Sequence, residues 1–248
     1  MMENALLIGL SRQMALAREM DVIANNVANV NTNGFKGRDS RFAEHLMPHA
    51  RADAFKAPDR KLSYVIDQGT ALDLGQGSVE RTGNPLDAAI RGPGFFAVQT
   101  PRGERYTRDG AFTIGANGAL VTAMGDPVLG EGGPITLGAT ETQVEIGADG
   151  TITTNLGQRG RLRIVDVADP QALVSEGANL FSSPGGATPL PPGPRVASAS
   201  LERSNVKSVL EMTRLMEVSR SYTSIAGIVS KTDELRRTAI GRLADVPT

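Results

Sequence analysis

From residue 3 to residue 30 the apolar positions recur at helical intervals. Leu6, Leu10, Ala17, Met20, Ala24 and Val27 follow one another at spacings of three, four and seven, with polar Gln13 breaking the stripe. Leu16, Ile23 and Val30 add a second row, while Arg12, Arg18, Glu19 and Asp21 occupy the other side. A face this broad predicts an amphipathic helix over 3–30 that buries against more than one partner. Its alanines allow another helix to approach closely. The stripe then stops in Asn25, Asn26, Asn29, Asn31 and Asn33, followed by Gly34, Phe35 and Lys36. Asparagine favours caps and turns, and Gly34 takes positive φ without steric cost. The helix is therefore expected to end here, with a turn after it.

The same period returns near the other end. Val209, Met212, Leu215, Met216, Tyr222, Ile225, Ala226, Val229 and Leu235 predict a helix over 208–243. Ser208 and Glu211 fit a capping box, and Asn205 could cap an earlier start. Arg236, Arg237 and Arg242 suit the negative end of its dipole. Two such helices would expose wide apolar faces, so they are expected to pack on each other and then on further copies.

Between them, from Gly69 to about residue 200, the pattern alternates with period two. Strands are expected at 78–82, 86–90, 95–99, 104–108, 111–114, 119–122, 144–146, 151–154 and 162–167, separated by glycine-rich turns. Short strands with frequent turn signals predict an antiparallel β domain. Asp109-Gly110 and Asn117-Gly118 read as hairpin turns, and the Pro/Gly-rich stretch 182–195 as an extended linker. Residues 50–60 have little periodicity, and 36–75 read as a long excursion with short strands, one around 62–66, that is functional or ordered by a partner. The expected fold class is α+β: discontinuous N- and C-terminal helices packed as a coiled coil around a central, mostly antiparallel β domain. The expected organisation is 1–35 with 205–248 as the helical domain, 36–75 as the excursion, and 76–204 as the β domain.

Composition adds mainly exclusions. Lys+Arg is 26 against Asp+Glu 27, so charge gives no reason to expect nucleic acid or an anionic membrane as a partner. The absence of cysteine removes disulfides and thiolate chemistry. No apolar run approaches the roughly 20 residues of a membrane span, so no membrane insertion is expected. Residues 1–10 carry Glu3 and Asn4 without a basic region or a small-residue cleavage site, so no signal peptide is expected. His45 and His49 share the i,i+4 spacing of a helical metal pair, but Pro48 breaks that helix and nothing completes a site. Gly75-Gln76-Gly77 and Gly92-Pro93-Gly94 lack the helix and lysine of a phosphate loop. Arg102, Arg105 and Arg108 read as a solvated strand face or a subunit contact. No metal, cofactor or catalytic residue is expected.

Read together, three stretches carry a resemblance. The run Ala24-Asn25-Asn26-Val27-Ala28-Asn29-Val30-Asn31-Thr32-Asn33-Gly34-Phe35-Lys36 resembles the N-terminal signature of bacterial flagellar rod and hook proteins. Leu201-Glu202-Arg203-Ser204-Asn205-Val206, continuing through Met212 to Arg220-Ser221-Tyr222, is similar to their C-terminal signature, with Ser221 where alanine is expected. Residues 82–96 and 106–112 are similar to the block that opens their β domain. The short middle and total length are most similar to the proximal-rod members, with the distal-rod members next. The resemblance implies a structural subunit without catalysis, stacked helically into the drive shaft of the basal body. Its terminal helices would form an inner layer, ordering against neighbours as copies assemble, and its β domain an outer one.

The implied partners are copies of itself, inner-rod and distal-rod subunits, and the flagellar export apparatus, which fits an N-terminus left intact. The expected assembly residues are Leu6, Leu10, Ala17, Met20, Ala24, Asn25, Asn26, Val27, Asn29, Asn31, Gly34, Phe35, Ser204, Asn205, Val206, Met212, Leu215, Tyr222 and Val229. An exported β-rich binding module and an enzyme on a β scaffold are the other classes. Ala24→Asp separates them, since it disables only the assembling subunit.

Overall fold

A computed structural model describes residues 2–47, 62–191, 193 and 195–244. The chain forms two compact units: 1–28 with 38–71 and 207–248, and 29–37 with 72–206. The sequence pattern placed the outer boundaries at 35 and 205. The structure groups 29–37 and the residues up to 206 with the β unit, because that is where their hydrogen bonds lie.

The first unit is built on α1 (Met2–Ala28) and α2 (Ser208–Ala244). The two helices pack on each other along their length. Gly9 meets Val229, Glu19 pairs with Arg214 at 2.9 Å, and Asn26 reaches Glu211 at 3.3 Å. As position rises on one helix it falls on the other, so the pair is antiparallel. A Cβ built on Gly9 would lie 2.7 Å from Val229 Cγ2, so glycine permits the closest approach. The unit also contains a two-stranded sheet of Arg38–Met47 and Leu62–Leu72. The stretch read as an excursion with short strands holds this strand pair, longer than the one strand placed at 62–66; His49 and the rest of 48–61 lie outside the described residues.

The second unit is antiparallel β. Its largest sheet runs, edge to edge, Val174–Ser175, Leu180–Ser182, Gly103–Thr107, Phe95–Thr100, Ile164–Asp166 and Thr188–Pro189. Period two sends Phe96 and Val98 into one apolar cluster and Phe95 and Ala97 into another. Phe96 packs edge-on against Phe112 at 5.2 Å, and Phe95 against Phe181 at 5.8 Å. A three-stranded sheet, Glu145–Ile146, Thr151–Thr154 and Gly157–Arg161, stands beside short pairs that close the unit. Two of those pairs join the start of the unit to its end: Val79–Arg81 with Ser200–Glu202, and Ala88–Ile90 with Val196–Ser198.

Two local readings change and one holds. Asp109-Gly110 makes no hairpin, because the strand before it pairs with Phe95–Thr100 through a turn at Pro101-Arg102-Gly103, where Gly103 has φ +102°. Gly110 serves instead to let its backbone pass Ala88, whose carbonyl oxygen would lie 1.6 Å from an added Cβ. Asn117-Gly118 does turn a hairpin between Thr113–Ile114 and Leu120–Val121. The Pro/Gly-rich stretch contributes Thr188–Pro189 as a sheet edge, the place where proline's missing N–H does no harm.

Candidate assembly interface

The helical unit combines a packed seam with large unpaired faces. On α1, Ile23 and Asn26 are buried, Ala17, Met20 and Val27 half-buried, and Leu10, Ala24 and Asn25 exposed. On α2, Val218 is buried, Leu215, Tyr222 and Val229 are half-buried, and Met212 is exposed. Leu6 lies early in α1. At 100° per residue Met14 stands about 180° around α1 from Ile23, and Met216 about 160° around α2 from Val218. Met14 is 67% exposed, Met216 55%, Met212 50%, Leu10 46% and Leu235 60%. Each helix therefore has apolar surface that its mate leaves uncovered, which is the signature of a surface awaiting further protein.

Asn26 explains part of the asparagine cluster. Its Oδ1 accepts the Arg38 N–H at 3.0 Å, and its Nδ2 donates to the Arg38 carbonyl at 2.8 Å and to Glu211 Oε2 at 3.3 Å. One side chain thus ties α1, the following strand and α2. Ser208 is already helical and Glu211 turns to Asn26, so the expected capping box does not start α2. Arg214 reinforces the seam, bridging Glu19 and Asp39 at 2.9 Å each.

The remaining signature residues serve the β unit. Gly34 has φ +66°, and a Cβ there would lie 2.4 Å from the Arg108 carbonyl carbon, so both its conformation and its contact require glycine. Its N–H donates to the Glu202 carbonyl at 2.7 Å. Phe35 is buried. Asn29 accepts the Thr32 N–H at 3.1 Å, Ser204 Oγ accepts the Val206 N–H at 3.2 Å, and Asn31 is exposed. Asn205 caps no helix. It accepts the Gly37 N–H at 2.8 Å and donates to the Asp73 and Gly75 carbonyls.

Beneath these contacts lies a buried charge cluster. Glu202, 1% exposed, receives Lys36 Nζ at 2.6 Å, the Gly77 N–H at 3.0 Å and Arg108 at 3.1 Å. Lys36 also donates to the Gly75 carbonyl, and Arg108 to the Gly92 carbonyl at 2.7 Å while lying over the Phe95 ring. Burial pulls both the Lys36 ammonium and the Arg108 guanidinium below their ordinary pKa, and Glu202 opposes that pull. Arg108 is therefore not on a solvated face. Strand alternation carried the warning, since Arg108 shares the side of buried Tyr106. Arg105 pairs with Glu176 at 2.9 Å, and Arg102 is the exposed member of the three.

A pocket of about 180 Å³ opens in the β unit among Asn29, Thr32, Asp109, Met124, Asp126 and Asn179. Burial pushes the Asp109 carboxyl above the usual range, with Asp87 adding to the effect. Among the described residues no cluster of His, Cys, Asp or Glu could hold a metal ion, and no helix is long and apolar enough to cross a membrane.

Paired terminal helices with an inserted antiparallel β unit agree with three family models matching in order along the chain. They are a flagella basal body rod protein model over 6–36, a flagellar hook protein FlgE/F/G D1 domain over 89–154, and a flagellar basal body rod FlgEFG protein C-terminal model over 197–242. The chain belongs to the flagellar basal-body rod protein family. It is 40% identical to the flagellar basal-body rod protein FlgF of Caulobacter vibrioides, across 99% of this chain and 100% of that one. It is 36% identical to FlgF of Mesorhizobium japonicum across 93% and 94%. Identity to the FlgG rod protein of Agrobacterium fabrum is lower, 32% across 94% and 96%.

Proposed function

We propose that this chain is a structural subunit of the proximal rod of the flagellar basal body, without catalytic activity. Copies stack helically through their terminal helices and meet inner-rod and distal-rod subunits at the ends of the stack. The rod carries torque, and the subunit reaches its place through the flagellar export apparatus with its N-terminus intact. Similarity to FlgF proteins along the whole chain supports the position in the rod. The observation that carries the assembly reading is the pair of uncovered apolar faces, Leu10 and Met14 on α1 and Met212, Met216 and Leu235 on α2. A non-closing contact repeated by every copy gives a helical rod.

Ala24 is exposed on α1, so Ala24→Asp puts a charge on the free face without entering the packed seam. The variant is expected to keep the helical content of the wild-type monomer by circular dichroism and to lose assembly into rods, seen by electron microscopy of basal bodies. Normal rods from this variant would refute the reading.

A further inference from the structure

Two features of the β unit take no part in the helix-mediated assembly, and they are complementary in charge. The first is the turn Ile90-Arg91-Gly92-Pro93-Gly94. Its backbone is held at four points: Arg91 N–H to the Arg195 carbonyl at 2.6 Å, Gly92 N–H to Gln76 Oε1 at 3.1 Å, the Ile90 carbonyl to Gln76 Nε2 at 2.9 Å, and the Gly92 carbonyl to Arg108 at 2.7 Å. Positive φ at Gly92 and Gly94, with Pro93 between them, fixes its path. On this rigid support the Arg91 side chain is exposed and has no partner among the described residues. The second feature is the pocket beside the Asn29–Thr32 turn. It carries Asp109 and Asp126, and neither makes an ion pair among the described residues, while Met124 adds an apolar lip. Arg108 and Asp109 are neighbours in sequence, one holding the cationic turn and the other lining the anionic pocket.

We propose that the Arg91 turn of one copy docks into the Asp109/Asp126 pocket of the next copy. This rests on the reading of the chain as a subunit that assembles with copies of itself. The two surfaces share no residue, so the contact is heterologous, the kind that builds a ring where the rotation closes and an open helix, as a rod needs, where it does not. The backbone of the turn, already fixed, has little freedom left to lose on docking, and a guanidinium–carboxylate pair adds charge-assisted hydrogen bonds.

The chain has no cysteine, which makes cross-linking clean. Full-length Arg91→Cys and Asp126→Cys chains, mixed and oxidised, should give a disulfide-linked dimer that neither gives alone, and a chain carrying both should give a ladder. In sedimentation of the purified chain at about 0.1 M salt, Arg91→Glu and Asp126→Arg should each weaken self-association about tenfold or more, and the two combined should restore most of it. If the wild type associates but no cross-link forms, or if either reversal leaves association unchanged, this contact is wrong while the helix-mediated reading stands. A wild-type chain that stays monomeric at every concentration, as Ala24→Asp is expected to, overturns both.

Discussion

Glu202 shows how much one side chain can decide. It neutralises two buried cations and accepts the Gly77 N–H with its side chain, and its backbone carbonyl oxygen accepts the Gly34 N–H. Replacing both partners of a buried pair with apolar groups can be nearly neutral, but removing one leaves a charge stranded in low dielectric. Glu202→Gln keeps the shape and strands Lys36 and Arg108. We expect it to lower the unfolding free energy by about 3–5 kcal/mol in urea titrations, a large share of the stability of a typical domain. A loss below about 1 kcal/mol would mean the cluster is solvated. Apart from the alternation that puts Arg108 on the side of Tyr106, none of this was evident in the sequence, where Lys36 opens a charged run and Arg108 sits in one. Charge near a turn signals solvent unless strand alternation is followed residue by residue to the buried side.

At the level of elements the sequence was far more legible. Both helices and the strands expected between 78 and 167 fall near where the apolar period places them, because burial of one face is what makes each element form. Leu180–Ser182, Val196–Ser198 and Ser200–Glu202, too short to show a period, were not expected. Asn117-Gly118 turns its hairpin as expected, whereas Asp109-Gly110 does not, since tertiary contact rather than φ fixed that glycine. The two roles separate experimentally. Gly110→Ala must push the backbone off the Ala88 carbonyl and should cost about 3 kcal/mol. Gly132→Ala, with open space around its position, should stay within about 0.5 kcal/mol of wild type. Equal effects of the two in denaturant melts would show that close packing at Ala88 is unimportant. The free faces of α1 and α2 could be read as apolar stripes, but which residues paired within the chain could not. That depends on the antiparallel register set by Gly9, Glu19 and Asn26.

For the molecule as a whole, the decisive fact is how the β unit ends. Its first and last segments are bonded to each other: Gly34 to Glu202, Gly37 to Asn205, and Asn33 to Arg203 at 3.1 Å. A chain in which 29–37 is joined to 72–206 by a short linker, across the Asp73 N–H to Gly37 carbonyl bond of 2.8 Å, keeps these bonds and should unfold in one cooperative transition. A chain cut to 72–201 loses Lys36 and Glu202 together with the Gly34 and Asn205 contacts, and should melt earlier and more broadly in calorimetry. Matching transitions for the two would show that the terminal segments contribute nothing to closure. Because the residues that lead into this unit, 33–37, are bonded to those that lead out of it, 202–205, the clasp holds both ends together whatever length of loop lies between the inner strands.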